Sequence, residues 1–355
     1  MNNSERTRKL LIMHYQQYPH LQIQDVFKYV YQSTFGCAHF LPPLDVIEES
    51  IRKELDECTG EGDTPIDVLD GEYSRVPLSY LCSGLNVSTF AKIFVASAQS
   101  SACDVEKLEA KLAVARQLVH KKALPFPEAE FEKAIMAWKS DGYPAVHHSK
   151  EFCKFYSPHY RVIANKYVQF LPLFAKIDSL TDNKSAVVAI EGGSASGKTT
   201  LCEMLRDIYG CTALHMDDFF LRPEQRTKER FAEVGGNVDR ERFLEEVLIP
   251  LSKGEPINYR RYDCSNGVVL PGIEILPQKL TVVEGAYSMH PEIAGFYDLS
   301  VFLDITPELQ KSRIEKRNTK ELALRFFNEW IPLEKTYFDV MSVKKRCDIC
   351  FSVSQ

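Results

Sequence analysis

Eight residues constrain this chain more than any other feature: Gly192-Gly193-Ser194-Ala195-Ser196-Gly197-Lys198-Thr199. They fit the phosphate-loop pattern GxxxxGK[ST], which carries meaning only between a buried strand and a helix. Both flanks fit. Ala186-Val187-Val188-Ala189-Ile190 is short, apolar and rich in β-branched residues, and a helix is expected from about Lys198 to Tyr209. Gly192 and Gly197 allow backbone conformations that side chains forbid. The freed N–H groups can then face inward and cradle phosphates, helped by the positive end of the following helix. Lys198 should reach the outer phosphates, and the Thr199 hydroxyl should ligate Mg²⁺. The base-reading Asn-Lys-x-Asp segment of GTPases does not follow the loop, because Asn183-Lys184 precedes it and lacks the aspartate.

A strand that opens a phosphate loop needs partners, and the second half of the chain supplies them. Ala213–Met216, Leu280–Val283 and Leu299–Leu303 are further strand candidates, several of them separated by helical segments. Such alternation predicts an α/β fold with a parallel sheet covered by helices on both faces. Cys347-Asp-Ile-Cys350 alternates with Ile349 and Phe351 and reads as a buried strand, since no second cysteine pair supports a metal or redox role.

Before about residue 183 the pattern is helical. Residues 45–57 and 104–122 carry apolar side chains at helical spacing, with Asp104 as the expected N-cap of the second. Residues 160–178 read as a third helical stretch, weakened at Pro172, and residues 59–77 as an internal loop. The polar segment 179–185 is the expected boundary. It separates a mainly helical domain, 1–180, from an α/β domain, 185–355. The 355 residues agree with two domains at the usual size of about 150 each.

Composition narrows the partners. A net charge of −6 does not favour nucleic acid, and no apolar run is long enough to span a membrane. The opening residues lack an uninterrupted apolar stretch and the ten cysteines are sparse, so reduced thiols and a cytoplasmic location are expected. The expected partner is a small molecule; a homo-oligomer stays open.

Acidic residues follow two of the strands. Asp217 and Asp218 end the second, in His215-Met216-Asp217-Asp218-Phe219-Phe220, and Glu284 ends the third. A carboxylate at the carboxyl end of a parallel strand lies in the ligand crevice. There it can take a proton from an attacking hydroxyl or help hold Mg²⁺.

Together these segments resemble the uridine kinase and phosphoribulokinase branch of the P-loop kinases. Gly192–Thr200 reads like the uridine kinase loop, and Met216–Phe220 like that family's Gln-Asp-Ser-Phe-Tyr, with Phe220 where a base-contacting tyrosine often stands. Asn237-Val238-Asp239 resembles its Asn-Phe-Asp, and Pro256–Asp263 a substrate-contacting segment ending Tyr-Asp. Glu284-Gly285 matches its Glu-Gly, and Arg313 and Arg317 resemble the arginines of its lid, without the Arg-Gly-Arg ending.

The resemblance implies ATP-dependent phosphorylation of a small-molecule hydroxyl, with ATP and Mg²⁺ as cofactors. It makes Gly192, Gly193, Ser194, Ala195, Ser196, Gly197, Lys198, Thr199 and Thr200 nucleotide-binding. Asp217 becomes the base toward the substrate hydroxyl, with Lys198, Arg313 and Arg317 catalytic. Thr199 and Glu284 hold the metal, and Asp217, Asp239, Arg260 and Tyr262 contact substrate. The run Arg222, Arg226, Lys228 and Arg230 fits either a grip on an anionic substrate or a solvated face. With Lys198, Arg260–Arg261 and Arg313–Arg317, it suggests a locally basic cleft in an acidic protein.

Residues 1–180 resemble no family. Two polar clusters set among aromatics stand out: Gln24-Asp25, Lys28, Tyr31-Gln32 and Phe35–His39, and His147–Lys150 with Tyr156–Arg161. They suit either a small-molecule pocket or a helix surface beside core aromatics. The alternatives to a kinase alone are an ATP-binding regulatory module whose N-terminal half senses a ligand, or a bifunctional enzyme.

Overall fold

The computed structural model describes residues 3–37, 41–57, 65–99 and 104–353. The chain divides into two compact units, Met1–Asp178 and Ser179–Gln355. Among the described residues no helix is long and apolar enough to cross a membrane.

The N-terminal unit is largely helical. Its helices are α1 (Asn3–Gln17), α2 (Ile23–Phe35), α3 (Leu44–Glu57), α4 (Val87–Gln99), α5 (Val105–His120), α6 (Glu128–Ser140), α7 (Lys150–Tyr156), α8 (Asn165–Val168) and α9 (Leu171–Thr181). Helix α5 shows how sequence makes the element. Leu108, Leu112, Ala115 and Leu118 recur on one face and are buried, and the Asp104 side chain caps the start by accepting from the Lys107 N–H.

Two expectations fail here. Residues 160–164 are not helical: Tyr160–Ala164 is a strand, β3, paired antiparallel with β2 (Tyr73–Pro77), which pairs in turn with β1 (Asp67–Val68). Adjacent β-branched Val162 and Ile163 favour the pleat, and pairing with a fully buried β2 decides between two patterns that periodicity alone leaves close. The helix resumes afterwards, with Pro172 in the first turn of α9, where its missing N–H costs nothing. The described part of the expected loop, 65–77, contains β1 and β2; residues 59–64 of it, and His39 of the aromatic cluster, lie outside the described residues.

The C-terminal unit is built on β4 (Ala186–Gly192), β5 (Thr212–His215), β10 (Leu280–Glu284), β11 (Leu299–Ile305) and β12 (Ile349–Val353). These form one wholly parallel sheet in the order β12-β11-β4-β10-β5. Between β5 and β10 lie two small hairpin pairs, β6 (Ile257–Tyr259) with β9 (Ile273–Ile275), and β7 (Tyr262–Asp263) with β8 (Val268–Val269).

Helix α10 (Lys198–Tyr209) packs against β4, β5 and β10 through buried Leu201, Cys202, Leu205 and Ile208. Alternate residues Ala189, Leu214, Val283 and Phe302 join a separate cluster with Phe219, Phe243, Val247 and Tyr337. Phe219 comes from the turn after β5, and the others from a helical stretch, α12 (Arg240–Phe243) running through a wider turn into α13 (Ile249–Ser252), and from α16 (Ile331–Val340). Before these lie α11 (Lys228–Ala232), α14 (Pro307–Arg317) and α15 (Lys320–Arg325). Cys347 and Cys350 are free thiols, and Cys350 is exposed on edge strand β12 rather than buried.

Candidate active site

The carboxyl ends of β4, β5 and β10 deliver Gly192, His215–Asp217 and Glu284 to one end of the sheet. The loop after β4 turns where its residues require. Gly192 has φ +149°, and a Cβ there would lie 2.7 Å from the Leu303 carbonyl oxygen. Gly197, at φ +102°, opens α10, and Ala195 adopts φ +63° without being glycine. Such local strain is typical of a backbone arranged around a ligand. The Lys198 Nζ reaches back and donates to Gly192 O (2.8 Å) and Gly193 O (3.1 Å).

Side chains from two later helices hold the loop. Glu334 of α16 accepts from the Ser194 N–H (2.9 Å) and the Ser194 hydroxyl (2.6 Å). Gln310 of α14 donates to Ser194 O (2.9 Å), and Arg313 of the same helix to Ala195 O (3.2 Å). Arg313 therefore meets the loop directly. Arg317, one turn on, is exposed and lies over the Phe326 ring at 5.6 Å.

Below the loop sits Glu191, fully buried, accepting from Gly192 N, Met289 N and the Tyr337 hydroxyl. Burial raises its carboxyl to about 7, although these donors and Lys198 pull the other way.

At the end of β10, Glu284 Oε1 accepts from the Thr199 hydroxyl (3.0 Å) and faces His215 Nδ1 (2.7 Å). Burial pushes the Glu284 carboxyl up, but His215, Lys198 and Thr199 outweigh it and hold it below the ordinary value. The same contact, ahead of the opposing burial, raises the His215 imidazole. A hydroxyl and a carboxylate are hard oxygen donors that suit Mg²⁺. Among the described residues no cluster of three or more His, Cys, Asp or Glu forms a metal cage.

Asp217 opens a tight turn after β5 and has no hydrogen bond or ion pair among the described residues. Asp217 is exposed, yet the protein packed on its other side desolvates the carboxyl enough to raise it; Lys198 opposes the rise and Glu284 adds to it. Its neighbour Asp218 is occupied, accepting from the Tyr259 hydroxyl at 2.7 Å.

The other expected substrate residues gather around α12. Asp239 is buried as the N-cap of α12, accepts from the Arg242 N–H (3.2 Å), and faces Arg222 Nε at 3.4 Å. Arg260 is exposed and pairs with Glu246, and buried Tyr262 accepts from Arg226 (3.0 Å). The basic run after β5 is largely tied down: Arg230 reaches both oxygens of Glu241 and the carbonyls of Gly236 and Val238, while Lys228 is exposed.

Glu334, Gln310 and His215 play roles that the sequence did not reveal. Glu191 left one sign, a lone acid inside an apolar strand.

Residues 187–321 match the model of the Phosphoribulokinase / Uridine kinase family. A phosphoribulokinase of Synechocystis sp. is 25% identical over 180 residues, 45% of this chain and 53% of that protein. A uridine kinase of Staphylococcus epidermidis is 26% identical over 184 residues, 47% of this chain and 87% of that protein. The structure of a possible uridine kinase from Bacillus stearothermophilus aligns over 50% of this chain and 98% of that one, at 21% identity and a TM-score of 0.38. The chain thus spans about half the length of the phosphoribulokinase it matches.

Proposed function

We propose that the C-terminal unit transfers the γ-phosphoryl group of ATP to a hydroxyl of a sugar-containing small molecule, a nucleoside or a relative. The carrying observation is Asp217: an exposed, raised carboxylate just past a strand end, with no hydrogen bond or ion pair among the described residues and within electrostatic reach of Lys198 and Glu284. A base whose pKa moves toward neutrality is better matched to taking a hydroxyl proton.

In this reading the loop N–H groups and the α10 N-terminus bind the phosphates. Two N–H groups of Lys198 hold loop carbonyls and the third is left for a phosphate oxygen. Thr199 and Glu284 are the residues that would hold Mg²⁺, which when bound neutralises phosphate charge. Asp217 orients the acceptor hydroxyl and takes its proton. Arg313, fixed on Ala195 O, keeps a positive charge at the loop's outer side. Most of the rate comes from positioning and electrostatics rather than covalent chemistry.

The test is Asp217→Asn, assayed for ADP release against nucleosides, sugars and sugar phosphates. Turnover should fall by about 10²–10⁴-fold while ATP still binds. Near wild-type turnover with ATP bound would remove Asp217 as the base. Acceptor-independent ADP release in the unmodified protein would favour a regulatory module over a kinase.

A further inference from the structure

The two polar clusters of the N-terminal unit meet. Helix α2 contributes Asp25, Lys28 and Gln32; the residues before α7 contribute His148 and Ser149; β2 contributes Arg75 and β3 contributes Tyr160. Asp25 is fully buried and accepts four hydrogen bonds, from Gln22 N, Ser149 N, Ser149 Oγ and His148 Nδ1. The last fixes the ring: Nδ1–H donates to Asp25 at 2.9 Å, so Nε2 accepts from the Tyr160 hydroxyl at 2.6 Å. Burial drives the His148 imidazole down to about 4, so it stays neutral in this role.

Arg75 lies at the centre, 3% exposed, between the rings of Tyr160 and Tyr29 at 5.0 and 5.8 Å. Its Nε donates to Gln32 Oε1 at 2.8 Å, and its Nη1 to Asp67 Oδ2 at 3.2 Å, with His14 Nε2 at 3.4 Å. Its Nη2 is buried without a partner among the described residues. A guanidinium carries five donors, and buried donors in native proteins are nearly always satisfied. Lys28 adds a second cation: its ammonium falls to about 8, through burial first and the Arg75 charge next, and its Nζ donates to Val146 O at 3.0 Å.

A purely structural network closes on itself, and the neighbouring one does. Lys111 donates its three N–H groups to Ser33 O, Ser33 Oγ and Asp70 O at 2.8, 3.0 and 2.7 Å. Arg75 does not close. Its Nη2 keeps two charged N–H groups without an acceptor among the described residues, and an oxyanion oxygen is the acceptor that pairs best with them.

We propose that this cluster is a second ligand site, where the Nη2 group of Arg75, supported by Lys28, receives an oxygen of the oxyanion of a small organic molecule. A carboxylate and a phosphate monoester share that chemistry. The Asp25–His148–Tyr160 chain sets the site's rigid wall.

The test uses the full chain carrying Trp330→Phe, which leaves Trp138 as its single tryptophan. Trp138 stacks on Phe27 of α2 and donates to Pro144 O, so it reports on the segment that bears Val146 and His148. Inorganic phosphate and acetate are titrated separately and Trp138 fluorescence is read. A saturable change with either probe is expected, and which of them binds assigns the anion class. Arg75→Lys should weaken binding about tenfold or more, since a single ammonium cannot keep the Gln32 and Asp67 contacts and also place donors where Nη2 stands. Lys28→Met, with a single hydrogen bond to lose, should weaken it several-fold and serves where Arg75→Lys does not fold. The change should persist in Lys198→Met, which disables the phosphate loop. No saturable change with either probe, its loss in Lys198→Met, or unaltered affinity in the folded Arg75 and Lys28 variants would overturn the proposal.

Discussion

The contact between Glu334 and Ser194 should set how firmly the phosphate loop is held. Glu334 is 5% exposed, and its two oxygens take the Ser194 N–H and hydroxyl at 2.9 and 2.6 Å. Glu334→Gln preserves shape and removes the charge. The amide oxygen can still accept the backbone N–H, but the amide nitrogen must then face the Ser194 hydroxyl, which has to turn. Two charge-assisted bonds become neutral ones, each weaker by about 1 kcal/mol, for a total near ~2 kcal/mol. Relief from burying a carboxylate works in the opposite direction. Both donors belong to one residue and the distances are short, so the hydrogen bonds should win.

In a unit of this size ~2 kcal/mol lowers the melting temperature by about 4–8 °C. Calorimetry on the full chain reads it as a shift of the transition that nucleotide raises. Ser194→Ala removes the hydroxyl alone. In that background Glu334→Gln should cost only about half as much, a coupling of about 1 kcal/mol. A melting temperature unchanged or raised in Glu334→Gln, or costs that add without coupling, would refute the reasoning.

The His215–Glu284 contact gives a pH prediction. The His215 pKa is raised, so the paired imidazolium stabilises the fold fully below about 6.5 and the contribution fades as pH rises through the elevated value. The proton also occupies the carboxylate expected to hold Mg²⁺, so Mg²⁺ dependence measured from activity should tighten with rising pH above about 6.5, and His215→Asn should flatten that profile; an unchanged slope would dissociate His215 from the metal. Separately, the KM for the acceptor should move less than about threefold between low and high salt, where a net basic substrate cleft would show a steep rise.

The parts of this molecule that could be read from sequence are those whose causes are local. The loop announces itself because glycine positions and an apolar strand are local requirements, and Asp104 caps α5 because its partner N–H lies three residues on. Glu334 could not be found that way: its role depends on α16 crossing a loop 140 residues earlier. The same holds for β3, where the Tyr160–Ala164 pattern admits either helix or strand until β2 pairs with it. The N-terminal clusters were visible as composition. That Asp25, His148 and Tyr160 form one chain of hydrogen bonds depends on contacts across up to 124 residues.

Charge density is where sequence misleads most. The arginines at Arg222–Arg230 and Arg260–Arg261 suggested, with Lys198 and Arg313–Arg317, a basic cleft. The cleft of about 460 Å³ beside α12 is lined by Arg222, Arg230, Arg242 and Arg260, but also by Asp239, Glu241, Glu245 and Glu246. Formal charges there cancel. Most of these arginines face an acid: Arg222 meets Asp239, Arg230 meets Glu241, and Arg242 and Arg260 meet Glu246. A sugar phosphate entering such a surface gains little long-range attraction and must break ion pairs to be gripped. A neutral, hydroxyl-rich acceptor can bridge the existing donors and acceptors without doing so, each hydroxyl both giving and taking a hydrogen bond. If the cleft takes the acceptor of the proposed reaction, its balanced charge favours an uncharged sugar-bearing acceptor over a phosphorylated one, and leaves the surplus positive potential to the loop, where Lys198 and the α10 N-terminus would meet the nucleotide.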